Sequence, residues 1–302
     1  MTASMFSTIG RVPRIARVRA EGYEFVDEPD QALRLLREQK RRLDLFTFTQ
    51  RLSEPEARFR YPVEKEALAV LQIESYEHWW KVRLNDKTRN MVRKAGKKGV
   101  EIRPIPFDDR LIAAIERIHN EHPLRQGRPF KHYGKSFDQV RQDHSSFLDR
   151  SDFFGAFLGQ EMIGFIKLVH QGEWSSLMQI ISMISQRDKA PTNALIAKAV
   201  ERCAELGVHR LQYGIWSRKG IGQFKLNHGF TSADTIRYYI PLSALGRFLI
   251  FSGLHHNPSR LIPERVRDLG MDLRSRWYQH KYRSFSPTLG AVAQSEERRA
   301  QA

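Results

Sequence analysis

The chain has 302 residues, a formal net charge of +16 and a single cysteine, Cys203. That length can bury a sizeable core, one cysteine excludes an intrachain disulfide framework and fits a reducing, cytoplasmic compartment, and no run of about 18 apolar residues offers a bilayer-spanning helix. The charge is local: Arg11, Arg14, Arg17 and Arg19 lie in an acid-free start, and eight basic residues and one acid, Asp86, lie between Lys81 and Lys98. A further excess follows Leu242, so anionic partners are expected at particular places: nucleic acid, phosphorylated cofactors or a membrane surface.

Residues 1–20 lack the apolar segment of a secretory signal. Basic and acid-free, they match a presequence or surface-binding arm in composition, and read most simply as a flexible arm. Patterning then predicts a helix over Asp30–Leu43 and strands over Leu45–Gln50 and Leu68–Glu74. Leu84, Thr88, Met91, Val92 and Ala95 share one face at about 100° per residue, with Arg89, Arg93 and Lys97 on one polar stripe and Lys87, Lys94 and Lys98 on another. Gly99 stops that helix, and Val100, Ile102 and Ile105 alternate as a strand does.

A helix is expected over Asp108–His119, then a polar glycine-bearing loop from His122 to Lys135, then a helix over Phe137–Asp149. Phe153–Leu158 and Met162–Val169, joined at Gly159-Gln160, read as a β-hairpin. Trp174–Met183 is a strand, Thr192–Leu206 a helix closed by Gly207, His209–Tyr213 a strand, Gly220–Asn227 a short helix and Thr235–Ile240 a last strand. Short Arg-bearing helices and a polar tail complete the chain. Four segments are expected: the arm 1–20, an α/β half 21–105, a core 106–242 and a basic helical extension 243–302.

Three ordered motifs accompany the basic helix. Pro191 with Asn193 opens the long helix, Gly214 ends a strand, and Phe224-Lys225 is followed by Gly229-Phe230. With Lys87-x-Arg89-x-x-Val92-Arg93-Lys94-Ala95, this series over roughly residues 80–240 resembles the FemA/FemB-like branch of the GNAT acyltransferase superfamily. The resemblance implies an α+β fold: a mixed, mostly antiparallel sheet flanked by helices, here with a partial N-terminal α/β half. It also implies an N-acyltransferase that splays its fourth and fifth strands around an acyl thioester, with the donor's pyrophosphate on the next helix N-terminus, where free N–H groups and the dipole favour anions. Acetyl-CoA or another acyl-CoA is then the donor, and Gln179, Ile181, Gln186, Arg187, Lys189, Thr192, Asn193 and Lys225 are its expected contacts.

The chain departs from that pattern at Gln186-Arg-Asp-Lys-Ala-Pro191, where Lys189 and Pro191 replace two glycines. Members with such degeneracy include some that use aminoacyl-tRNA, the second reading, with a cell-wall or lipid precursor as acceptor. The third is a non-catalytic scaffold on nucleic acid or membrane, to which SALGRFLIFSGLHH and Arg260, Arg265, Arg267, Arg274 and Arg276 would contribute. The acceptor is expected near Arg125, Gln126, Arg128 and Lys135 of the polar loop, together with Arg89 and Arg93. His132, Tyr133 or Glu121 is the expected acid or base, and Tyr213 a second acid. His119, Glu121 and His122 lack a third ligand and the spacing of zinc proteases, so no metal is expected.

Overall fold

The computed structural model describes residues 5–39, 42–217, 219–255 and 264–282, which form two compact units interleaved along the chain. Among these, the first unit takes residues 5–85, 169–178 and 203–255, and the second 86–168, 179–202 and 264–282. The first is built on a mixed, mostly antiparallel sheet, the second holds the antiparallel pairing of residues 100–104 with 154–158, and helices lie against both, the α+β class expected.

In chain order the strands begin β1 (Phe6–Ile9), β2 (Ile15–Val18), β3 (Leu45–Thr49), β4 (Val63–Gln72), β5 (Val100–Pro104), β6 (Leu124–Arg125) and β7 (Arg128–Pro129). They continue as β8 (Ser151–Leu158), β9 (Glu161–Gln171), β10 (Trp174–Ser182), β11 (Arg210–Ile215) and β12 (Thr231–Pro241). The helices are α1 (Pro29–Glu38), the single turn α2 (Tyr76–His78), α3 (Asp86–Lys97), α4 (Asp109–Asn120), α5 (Phe137–His144), α6 (Pro191–Glu205), α7 (Lys219–Asn227), α8 (Ala244–Phe251) and α9 (Glu264–Lys281). Strands β9 and β10 pass from one unit into the other.

In the first unit the strand order is β1-β2-β3-β12-β4-β11-β10. Only the β2–β3 and β10–β11 pairs are parallel. Strand β4, far upstream in sequence, lies between β11 and β12, with Leu71 opposite Leu211 and Val70 opposite Thr231. The expected boundary near residue 105 therefore does not coincide with the units. Nor is the N-terminal stretch an arm throughout: Phe6, Ala16 and Val18 are buried on β1 and β2, packed with Phe46, Phe48, Leu36 and Tyr238. Burying each large apolar side chain contributes about 1.5–3 kcal/mol. Tyr238 stacks on Phe48 at 5.0 Å, and its hydroxyl accepts the Arg58 N–H at 2.7 Å.

The second unit carries the end of β10, then β9, β8 and β5. The β8–β9 turn falls at Gly159, φ +62°, and β5 pairs antiparallel with β8. Helix α3 packs on β5 with Thr88 and Ala95 buried, and Gly99 at φ +78° ends it as expected. Helix α4 is capped by Asp108, whose carboxylate accepts the Leu111 N–H at 2.9 Å. Its buried stripe is Leu111, Ile112, Ile115, Ile118 and His119, which places an imidazole where the period calls for an apolar side chain.

Helix α5 starts on a Ser136/Gln139 capping box and stops at His144, not Asp149. The expected loop 122–135 contains a hairpin, β6–β7. Gln126 and Gly127, at φ 53° and 68°, form its two-residue turn, both in the left-handed region such turns require. Of the expected extension, α8 and α9 are described, while Arg260 and the tail after Tyr282 lie outside the described residues.

Candidate active site

Most of the expected site residues fall in the second unit, around the end of β10 and the start of α6. Ser182, the last residue of β10, is held on several sides. Its carbonyl accepts from Arg125 Nη1 at 2.7 Å, its hydroxyl bonds the Thr192 hydroxyl at 2.6 Å, and Gly164 of β9 lies close against its backbone. Next along the chain, Ile184 N–H and Ser185 N–H donate to the two oxygens of Glu121 at 2.6 and 2.9 Å, and Ser185 Oγ adds a third bond at 2.6 Å. Arg125 Nη2 lies 3.6 Å from that carboxylate, and Arg125 also donates to Ile118 O at 3.2 Å. Glu121 is thus a ligand of the loop backbone, with neither oxygen left as an unengaged base.

The loop continues as a 3-10 turn, Arg187–Lys189, and Ala190 enters α6 at φ 55°. The N–H groups of Lys189 and Ala190 donate to Gln186 O and Arg187 O, both at 3.0 Å, and Pro191 has none. A backbone cradle for pyrophosphate is therefore largely closed. What remains for an anion is the start of a 15-residue helix and the cations Arg187 and Lys189, the latter also bonded to Gln186 Oε1 at 2.7 Å. Asn193 and Ile181 are half-buried in this region.

Beside the hairpin lies a cluster of imidazoles that the sequence did not announce. The His119 ring packs 4.8 Å from that of His132, against Phe130 at 5.7 Å and Phe165 at 6.0 Å, with His144 at 6.1 Å. His119 is fully buried and neither ring nitrogen has a hydrogen-bond partner. Burial first, then the neighbouring His132 and His144, push it down to about 3. His132, through burial and Lys135, and His144, through burial and Lys167, are pushed down to about 4. All three are neutral at pH 7.

His132 Nδ1 faces Lys135 Nζ at 3.3 Å, and Lys135 pairs with Asp143. An ammonium can only donate, so Nδ1 accepts and the ring proton sits on Nε2. Nε2 lies 3.3 Å from the Gln179 amide of β10, which then meets it through its oxygen, since amide O and N are assigned by their partners. His132 is accordingly a donor toward β10 in this state. Tyr133 and Arg128 are exposed on the hairpin side, and Lys167 lies fully buried, donating to the carbonyls of His144 and Ser146.

On α3, Arg89 pairs with Asp86, and Arg93 bonds Asn90 Oδ1 at 3.3 Å. Gly96 and Lys97 in its last turn are exposed, as is Lys98 just beyond its end.

The two remaining site residues belong to the first unit. Tyr213 precedes Gly214 (φ 57°) at an irregularity in β11, and burial pushes its hydroxyl up to about 12, so it keeps its proton. Lys225 is 4% exposed, lies 4.7 Å over the Tyr213 ring and donates to Ile215 O at 2.7 Å, with burial pushing it down to about 8. The expected phosphate partner is thus an internal tie from α7 to β11.

His119, weighed in the sequence only as a metal ligand, and the missed residues His144, Ser182, Ser185 and Gly164 owe their place to partners distant in sequence. Only His119 and His144 left a trace, as imidazoles on the buried faces of α4 and α5.

No protein-family model and no curated protein sequence matches the chain. Solved structures do. The C-terminal domain of an Agrobacterium fabrum protein described as a lysylphosphatidylglycerol synthetase is similar at TM-score 0.54 and 12% identity, over 82% of this chain and 84% of that one. L-PGS from Bacillus licheniformis is similar at TM-score 0.54 and 13% identity, over 82% and 83%. FemX follows at TM-score 0.48 and 12% identity, over 78% and 83%. At these identities the likeness is one of fold: the chain shares the architecture of the two synthetase structures.

Proposed function

We propose that the chain is an N-acyltransferase that moves an acyl group from an acyl-CoA thioester to an amine. The observation that carries this reading is the fixed passage from β10 into α6, with Arg187 and Lys189 at the start of a long helix. Cationic side chains there would hold the donor's phosphates in place of the closed backbone cradle. The amine nitrogen attacks the thioester carbon to form the N–C bond, the C–S bond breaks, and the departing thiolate takes the proton that the nitrogen gives up. Backbone N–H groups of β10 are the candidates for the developing oxyanion. No protein nucleophile is needed, and His132 with the Gln179 side chain it meets can border the acceptor beside β10.

One observation favours a second donor, aminoacyl-tRNA. The N–H groups of Lys189 and Ala190 are already spent, and α3 presents Arg93 and Lys97 beside the exposed Gly96, which has no atom within 4 Å of an added Cβ, with Lys98 just past the helix end. A glycine within a helix costs up to about 1 kcal/mol against alanine, and in a last turn flanked by cations it leaves room for a close phosphodiester backbone.

Thermal-shift titration with acetyl-CoA, longer acyl-CoAs and charged tRNA at two salt concentrations tests both. Ligand at a hundred times its Kd adds about 2.7 kcal/mol. A saturating shift with a thioester supports the first reading. A shift only with charged tRNA, steeply weakened by salt and by Lys97→Glu with Lys98→Glu, supports the second. No shift with either overturns both.

A further inference from the structure

We propose that Glu121 and Arg125 are positioning residues: together they lock the turn between β10 and α6 and so orient the end of α6 that receives the acyl donor. The proposal rests on the reading of the chain as an acyltransferase, and its mechanical part stands without it.

The two side chains come from one short segment and take opposite polarities of the same stretch of backbone. Glu121 accepts the N–H groups of Ile184 and Ser185, and Arg125 donates to the carbonyl of Ser182. Both are shielded, at 17% and 19% side-chain exposure, so these charge-assisted bonds act in a medium less screening than water. The Arg125 guanidinium also lies 4.6 Å over the Phe130 ring, which fixes its plane. From the clamped backbone the order passes on, since the Ser182 hydroxyl holds Thr192, the second residue of α6.

The turn needs such a hold. Ala190 is 3% exposed and sits at φ 55°, a left-handed conformation that an L-residue keeps only where its surroundings over-determine it. A carboxylate whose oxygens are engaged by N–H donors 63 and 64 residues away is well placed for that task.

The test is steady-state kinetics of Glu121→Gln and Arg125→Lys with the donor that the wild type accepts, acetyl-CoA or charged tRNA. In the first variant an amide N–H₂ must face a backbone N–H, and in the second the two-carbonyl bridge is lost. Donor KM should rise about tenfold or more in each, with acceptor KM and kcat at saturating donor within about threefold. Val140→Ala, a buried cut in α5, controls for general destabilisation and should leave donor KM unchanged. Unchanged donor KM in both variants overturns the proposal, as does a hundredfold fall in kcat at constant KM, which would make Glu121 the base.

Amide hydrogen exchange at Ile184 and Ser185 reads the clamp without turnover. Both amides should be protected in the wild type and lose protection in Glu121→Gln. Protection equal in the two proteins overturns the clamp. Wild-type protein that turns over neither donor, while its exchange follows Glu121, overturns the acyltransferase reading instead and strips the clamp of its donor role.

Discussion

Gly164 and Ser182 approach so closely that a Cβ on Gly164 would lie 2.8 Å from the Ser182 Cβ and 3.2 Å from Ile181 O. The glycine is there to let β9 and the end of β10 come together, not for an unusual backbone angle. Gly164→Ala should therefore cost about 1–3 kcal/mol through overpacking, where a glycine-to-alanine change in open space would be mildly favourable. Urea unfolding reads the loss. A variant as stable as wild type would mean that β10 shifts freely at Ser182.

The buried imidazoles predict acid sensitivity. His119, His132, His144 and, in the first unit, His228 have folded values of about 3 to 4 against 6.5 when unexposed to the fold. Above pH 6.5 neither folded nor unfolded chain binds these protons, and the full stability is present. As pH falls from 6.5 toward 4 the unfolded chain takes them up first, so stability is lost, at up to about 1.4 kcal/mol per pH unit for each group. His119→Phe, in a cage that already holds Phe130 and Phe165, should flatten this slope by one group's share. Denaturant melts at pH 7.5, 6 and 5 measure it, and an unchanged slope would show that His119 titrates normally.

Lys225 separates a structural tie from a phosphate contact. Lys225→Met leaves Ile215 O without its donor and should cost about 1–3 kcal/mol. The salt dependence of donor binding should stay as in wild type. A shallower salt slope with unchanged stability would restore Lys225 to the donor site.

Arg237 joins Glu21 and Glu66 in the first unit, with its guanidinium 2.8 and 3.1 Å from Glu21 and 2.9 Å from Glu66. At 14% side-chain exposure, removal strands two carboxylates, so Arg237→Ala should cost about 3–5 kcal/mol. Arg237→Lys should recover little, since a single ammonium cannot reproduce the fork. Guanidinium titration of both variants checks the order, and full rescue by lysine would contradict it.

Legibility followed locality. The cationic helix ended by Gly99, the β8–β9 hairpin and the Pro191 helix each carry their own signal within a dozen or so residues, and all were readable. The residues 15–18 also alternate, with Ala16 and Val18 buried and Arg17 exposed, but the surrounding arginines masked a strand that pairing with β1 and β3 secures. The Gln126-Gly127 turn hid because glutamine seldom takes a positive φ. Glu121 looked like a base because its type allows it. Its engagement depends on N–H groups 63 and 64 residues away, and nothing in the local sequence marks them.

The seat of β4 between β11 and β12 bears on how this protein is made. A ribosome releases β4 early, yet the partners for its two edges arrive only with residues 210–241. At roughly 5–20 residues per second, the strand waits on the order of ten to thirty seconds with both edges bare. Nascent chains in that interval are templates for pairing with one another. Shielding of the nascent chain, slow refolding from denaturant and aggregation of any fragment that contains β4 but ends before β11 are what that interval entails.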